Sequence, residues 1–286
     1  MPFRPDIERL RSVNTETRSP DRLRAHFEVE RELAARLRTS RPDERGALYG
    51  DLYGELFARL PDHPQHKLDP AKRHKNTASQ VAFLKPYLSP TAVFVEIGCG
   101  DAAVTRSVAT FVNKAVGIDV TSVLIDHTTA PANFQFVHTK GVEFSLPTDY
   151  ADIVYSNQLM EHLHPEDAKQ QLQEIYRILK PDGLYICSTP SRLTGPHDIS
   201  VYFGYEPTGF HMHEYDHGSL AVMFREVGFR SARAHFSIKG RCLDLPVVPV
   251  IWIERFLLAL PQAIRTRLAH VGPIRNLAGV TLVGRK

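Results

Sequence analysis

Apolar positions in this chain follow two spacings, and the change from one to the other organises it. Leu23, Phe27, Leu33 and Leu37 recur at roughly helical intervals among Arg and Glu, with Pro20 and Asp21 as a start signal, which predicts a helix over 20–38. The next helices are predicted over 42–60, ended by Pro61-Asp62-His63-Pro64, and over 72–87. From there short β-branched runs alternate with helical stretches: strand 92–97, helix 102–111, strand 115–119, helix 122–127, strands 134–138 and 151–156, helix 165–179, strand 183–189, helix 216–227 and strand 230–238. A last strand is read over 279–285. Such alternation implies crossover units and an α/β fold built on a mostly parallel sheet. Residues 1–19 are polar and irregular and are expected to form no fixed element.

The stretch 241–277 interrupts the final strand pair and reads as a helical insert. Its runs Val247 to Ile253 and Phe256 to Leu260 are more apolar than a solvated loop requires, with Arg265, Arg267 and His270 behind them. Three readings stay open: packing on the chain's own core, packing on a second subunit in a homodimer, and contact with a membrane or a lipid-linked substrate. The organisation expected is a helical extension or cap over 1–70, a core over 71–240, the insert over 241–277 and a final core strand over 278–286.

Composition narrows the setting. A chain of 286 residues with net charge +3 and mixed signs has room for one large core and gives no reason to expect a nucleic-acid partner. Cys99, Cys187 and Cys242 lie far apart without metal-ligand spacing, as in a reduced compartment. No apolar leader and no run of about 18 apolar residues is present. A cytoplasmic protein is the expectation.

The most specific segment is Val93-Phe94-Val95-Glu96-Ile97-Gly98-Cys99-Gly100-Asp101. A strand ends in an acid and then two alternate glycines, which let the backbone turn tightly and approach a ligand. The next strand ends in Asp119, a carboxylate suited to a ribose diol. Gly98, Gly100 and Ala103 also satisfy a permissive dinucleotide pattern, so the glycines alone leave the nucleotide open.

Two later segments, Tyr150-Ala151-Asp152-Ile153-Val154-Tyr155-Ser156-Asn157-Gln158-Leu159-Met160-Glu161-His162-Leu163 and Ile178 to Pro190 with its Lys180-Pro181-Asp182-Gly183 turn, complete a pattern over about 80–240. In order and spacing it resembles the class I S-adenosylmethionine-dependent methyltransferases, in the subgroup that includes small-molecule, lipid-quinone and sugar methyltransferases. The resemblance implies a Rossmann-like, seven-stranded, mostly parallel sheet with helices on both faces, and S-adenosyl-L-methionine as cofactor. It implies that Glu96 orders the glycine loop and meets the amino-acid end of the cofactor. Gly98, Cys99 and Gly100 would line that end, Asp119 with Val120 would hold the ribose, and Ser156, Asn157 and Gln158 would form the floor beside the methyl group. The sequence departs from the family at Ala102, the third small position, and at Glu143, which follows the usual register of an adenine-contacting acid, held here by Val142.

Ligands of open α/β sheets bind outside the carboxyl ends of the strands. Histidines cluster in the segments leaving those ends, and an imidazole is suited to taking a proton from a hydroxyl near neutral pH. The candidates are His211 first, His162 second, and His197 with Asp198 in the Gly195-Pro196-His197-Asp198 loop. Segments 191–198 and 209–215 resemble those of bacterial methyltransferases of polysaccharide or glycolipid synthesis, which implies O-methylation of a sugar or other small-molecule hydroxyl. Rival readings are a lipid or quinone methyltransferase at a membrane surface, a nicotinamide-dependent oxidoreductase using the same glycines, and a binding protein without activity. Asp198, His211, His213 and Glu214 are metal-capable residues, but no carboxylate pair has a diagnostic spacing and no metal is expected.

Overall fold

The structure is a computed structural model that describes residues 1–63, 69–122, 125, 130–238, 241–261, 264, 265, 268, 271, 277 and 279–286. Four helices lead in: α1 (Ile7–Val13), α2 (Pro20–Thr39), α3 (Pro42–Arg59) and α4 (Pro70–Leu84). Proline at the first turn fits each of the last three starts, because its missing N–H would be unpaired there in any case. Ser19 caps α2 by accepting from the Arg22 N–H. The alternating part follows as β1 (Val93–Ile97), α5 (Ala103–Val108), β2 (Lys114–Asp119), β3 (Phe134–His138), β4 (Ala151–Asn157), α6 (Pro165–Ile178) and β5 (Leu179–Pro190). After a long loop come α7 (His217–Val227), β6 (Ser231–Ile238), β7 (Arg241–Pro246), α8 (Val247–Leu258) and β8 (Gly279–Arg285).

The strands form one sheet in the order β3-β2-β1-β4-β5-β8-β6-β7. The first five are mutually parallel, and β8 inserts antiparallel between β5 and β6. Reversal of order beside β1 opens the crevice at the carboxyl ends of β1 and β4, where α/β sheets take their ligands. The period of two sorts side chains to the faces. Val95 and Ile97 join the larger core with Val116, Ile118 and α6, whereas Phe94 joins Val104, Val108 and Ala115 on the opposite side.

Three expectations change. The sheet has eight strands among the described residues, because 241–246 pairs antiparallel with β6 instead of starting a helical insert. In it Asp244 turns inward to Tyr87 and His235 while Leu243 and Leu245 face outward, a strand alternation too short to stand out in the sequence. The N-terminus is ordered into α1, since Phe3, Ile7 and Leu10 pack with Phe27, Ile199, Tyr202 and Phe203. The helix expected over 122–127 falls largely outside the described residues, and the described Ser122 and Ile125 are not helical.

The leading helices are not a separate layer. Leu33, Leu37, Leu52 and Leu56 lie in the same core cluster as Val95, Ile97 and Leu172. A buried polar clasp fixes their position: Arg45 donates to Asp167 at 2.8 Å, and the Tyr49 hydroxyl donates to the other oxygen of Asp167 at 2.7 Å. Thus α3 is tied to α6 and lies over the crevice.

Candidate active site

At the end of β1 the chain turns through Gly98 and Gly100, with φ of +71° and +55°. A side chain at 98 would be strained in that conformation and would press on Leu159, so the turn requires glycine. Asp119, at the end of β2, ties the turn down: its carboxylate accepts from the Gly100 N–H at 2.7 Å and from the Thr121 N–H at 3.0 Å. Burial holds its pKa above the usual carboxylate range. Glu96 lies beneath, accepting from the Thr105 hydroxyl, and burial pushes its pKa up to about 8, with Asp101 and Asp119 adding to the effect.

These residues border a cavity of about 440 Å³. Glu96, Gly98, Cys99, Gly100, Asp119, Val120, Asn157 and Gln158 all line it, as do Tyr49 and Tyr53 of α3, which the sequence reading did not single out. Two expected residues lie elsewhere. Ser156 points to the other face of β4 and shares a hydrogen bond of 2.7 Å with the Tyr185 hydroxyl, as the strand period demands. Glu143 is exposed, 3.5 Å from Gln170, and Thr139, Gly141 and Phe144 supply the wall near it. The acids around the glycine turn (Glu96, Asp101 and Asp119) suit an ammonium group and a diol, a set that fits S-adenosylmethionine.

A second cavity, of about 610 Å³, adjoins the first. Tyr53, Gln158 and His162 line both, and Gln158 stands at the junction with φ +55°, its N–H donating to the Ser188 carbonyl at 2.9 Å. His162, His197, Asp198 and His211 all face this second space, so the structure gathers residues that lie almost fifty positions apart.

Their hydrogen bonds separate them. Asp198 accepts from the backbone N–H groups of Ser200 and Gly209, both at 2.9 Å, and organises the loop. His197 Nε2 is within 2.8 Å of the Thr194 hydroxyl and 3.1 Å of the Ser191 carbonyl, and burial lowers its pKa. His162 Nδ1 meets the Phe210 carbonyl at 3.0 Å. A carbonyl only accepts, so Nδ1 carries the hydrogen and Nε2 keeps its lone pair. Burial pushes the His162 pKa down to about 3, with His211 contributing, which makes it a neutral ring.

His211 differs. Burial alone would lower its pKa, but Glu214, bonded to Nδ1 at 2.8 Å, together with Asp198 and Glu161, holds it above the ordinary histidine value. The two rings stand edge-on with centroids 4.8 Å apart. Glu214 reaches this position because residue 195 is glycine: a Cβ there would lie 1.9 Å from its Oε2. The sequence carries a signal for the pair in the i, i+3 spacing of His211 and Glu214. His213 packs on Tyr215 instead, and His217 is bonded to Glu254 at 2.7 Å in the core, so these three neighbouring histidines sit in three environments.

Among the described residues, two groups bring ligand-type atoms within 4.8 Å: His26 with Glu30 and His63, and Glu161 with His162 and His211. The first forms a second wall of the larger cavity that the sequence did not indicate. His26 joins Arg18 to Glu30, and Glu30 also accepts from the Phe210 N–H at 3.0 Å, so this network is closed. Despite burial, the two histidines hold the Glu30 carboxyl far below the usual range. In the second, Glu161 accepts from Thr189 at 2.9 Å, and burial lifts its pKa to about 7.

Fold and site together are similar to those of the class I S-adenosylmethionine-dependent methyltransferases, and the match to a methyltransferase family falls on the part of the chain that carries the glycine turn. Residues 95–187 match the family described as a methyltransferase domain. A "probable S-adenosylmethionine-dependent methyltransferase" of Mycolicibacterium smegmatis is 28% identical over 136 residues, covering 47% of this chain and 51% of the relative. A protein of the same description from Mycobacterium tuberculosis is 25% identical, over 47% of each chain. The chain thus matches about half the length of these curated relatives. Among solved structures, a Burkholderia thailandensis 1,6-didemethyltoxoflavin-N1-methyltransferase with bound S-adenosylhomocysteine superposes with a TM-score of 0.53 at 15% identity, covering 86% of this chain and 91% of that one. An Archaeoglobus fulgidus methyltransferase gives 0.50 at 18% identity, covering 73% and 94%. At these identities the likeness is one of fold.

Proposed function

We propose that the protein is a cytoplasmic methyltransferase of polysaccharide or glycolipid synthesis, transferring a methyl group to a hydroxyl of a sugar or other small molecule held in the larger cavity. The observation that carries this reading is the shared wall: Gln158, His162 and Tyr53 border the cofactor cavity on one side and a polar, histidine-lined cavity on the other. When bound, S-adenosylmethionine supplies an electrophilic methyl on a sulfonium. The chain's residues have the remaining tasks of aligning the acceptor and taking its proton. Asp119 holds the ribose hydroxyls, Glu96 meets the amino-acid end, and Gln158 orients the junction.

His211 is the base. Its Nε2 takes the hydroxyl proton as the oxygen–carbon bond forms, and Glu214 stabilises the imidazolium that results, whereas His162 is too costly to charge and instead accepts a hydrogen bond that positions the hydroxyl. Asp198 and His197 hold the loop that carries this pair, and α2 and α3 cap the cavity. Proton removal needs no metal, so activity that persists in chelator is expected. Screening the purified protein with labelled cofactor against nucleotide sugars, glycans and lipid extracts tests the reading, with the label expected on a hydroxyl oxygen. Titrations with S-adenosylhomocysteine and NAD accompany it, and tight NAD binding without S-adenosylhomocysteine binding overturns it.

A further inference from the structure

Helix α8 has two unlike faces. Val250, Glu254 and Leu257 are buried, and Glu254 grips the α7 start through the His217 N–H at 3.0 Å and ring Nδ1 at 2.7 Å. The opposite face presents Val248, Trp252, Ile253 and Phe256 to solvent, with Trp252 66% and Phe256 68% exposed. Leu243 and Leu245 of the adjoining strand β7, and Ile264 beyond the helix, are exposed as well. Most of the chain's exposed large apolar side chains among the described residues therefore fall in one segment. Isolated exposed apolar residues need no explanation, but a contiguous group of them does.

Charge identifies what covers this face. The two acids of 241–261 are turned inward, Asp244 onto Tyr87 and His235 and Glu254 onto His217. The exposed charge that remains on α8 is Arg255, whose guanidinium lies 5.8 Å from the Trp252 ring, and Arg265 stands half-buried beyond. An apolar surface whose outward charges are cationic, with a tryptophan among them, matches the headgroup boundary of an anionic bilayer. No helix among the described residues is long and apolar enough to cross a membrane, so the contact is with the surface. The C-terminal end of α8 adjoins the acceptor side: Leu258 and Arg265 line a cavity of about 330 Å³ together with Gly195 and Pro196, which border the larger cavity too.

We infer that β7 and α8 dock the protein on an anionic lipid surface through Leu243, Leu245, Val248, Trp252, Ile253 and Phe256, with Arg255 meeting the headgroups. Docking places the 195–196 loop near the membrane, where a lipid-linked acceptor enters; that last link rests on the function proposed above, and the docking itself does not.

Trp252 is the single tryptophan of the chain, so its fluorescence reports this face alone. The full chain is mixed with vesicles of phosphatidylcholine, with and without phosphatidylglycerol, some carrying lipid brominated in the upper acyl chain. Sedimentation with the anionic vesicles, a blue shift and bromine quenching of Trp252 are expected. Val248→Glu combined with Phe256→Glu should weaken vesicle partition by about 10- to 100-fold and leave S-adenosylhomocysteine affinity unchanged, which keeps this test separate from that of the catalytic reading. An unquenched Trp252 with no sedimentation at any anionic content overturns the inference. So does a dimer in sedimentation velocity that shields Trp252 without lipid and is lost in the double variant, because a second copy would then be the occupant.

Discussion

Replacing Glu214 by glutamine tests how the His211 imidazole is tuned. The carboxylate contacts Nδ1 at 2.8 Å, and both side chains are buried, so salt and water screen the pair little. A base must be uncharged before it acts. With its pKa held above the ordinary 6.5, His211 acting as the proposed base should give kcat/KM an acid limb above that value, the rate rising with pH through it. An adjacent opposite charge shifts a pKa by about 1–3 units. Asp198 and Glu161 remain in the variant and continue to raise it, while burial continues to lower it. The limb should therefore move to lower pH, and loss of a hydrogen bond to a charged group, about 1.5–3 kcal/mol, should lower the plateau rate by about 10- to 100-fold. The glutamine oxygen can still accept from the His197 N–H, which the carboxylate now does at 2.6 Å, so the loop should hold. Stopped assays from pH 5.5 to 9 at saturating cofactor, alongside His211→Ala with an expected loss of about 10²–10⁴, provide the measurement. An unmoved limb in the glutamine variant, or a wild-type rate in the alanine variant, would refute the assignment.

Two further outcomes are expected. Asp119→Ala removes the acceptor that a ribose diol would use, and at about 1.5–3 kcal/mol for each hydrogen bond to a charged group the dissociation constant for S-adenosylhomocysteine should rise at least about 100-fold by calorimetry; a change below about threefold would remove Asp119 from the ribose site. Arg45→Ala leaves Asp167 buried without its cation, which should cost about 3–5 kcal/mol in urea unfolding, and a loss near zero would mean that α3 is held by its apolar face alone.

The wall of the smaller cavity is legible because it is local. Glu96, Gly98, Gly100 and Asp119 are strand-end residues, and two strands with a tight turn place them whatever the remainder of the chain does. Ser156 shows the limit of that reading. Motif position placed it beside Asn157 and Gln158, but the strand period sends its side chain to Tyr185 on the other face. Glu143 was assigned by register alone and stands exposed. Elements whose partners are distant in sequence were missed altogether. Helix α1 depends on Tyr202 and Phe203, and β7 exists only as the neighbour of β6.

The larger cavity is encoded differently, and histidine spacing could nominate its residues without giving the physical reason to prefer one. All four candidates face one cavity, yet they differ in what their second atom touches. His197 and Asp198 are occupied by hydroxyl and backbone groups, His162 by a carbonyl, and His211 by a carboxylate. Only a carboxylate offsets the desolvation of a charged imidazole, so a reversible proton is affordable at His211 and not at His162. The carboxylate in turn has its place because residue 195 has no side chain. Gly195→Ala is therefore a second route to the same perturbation: by pushing Glu214 aside it should move the acid limb in the direction that Glu214→Gln does, although it alters neither member of the pair.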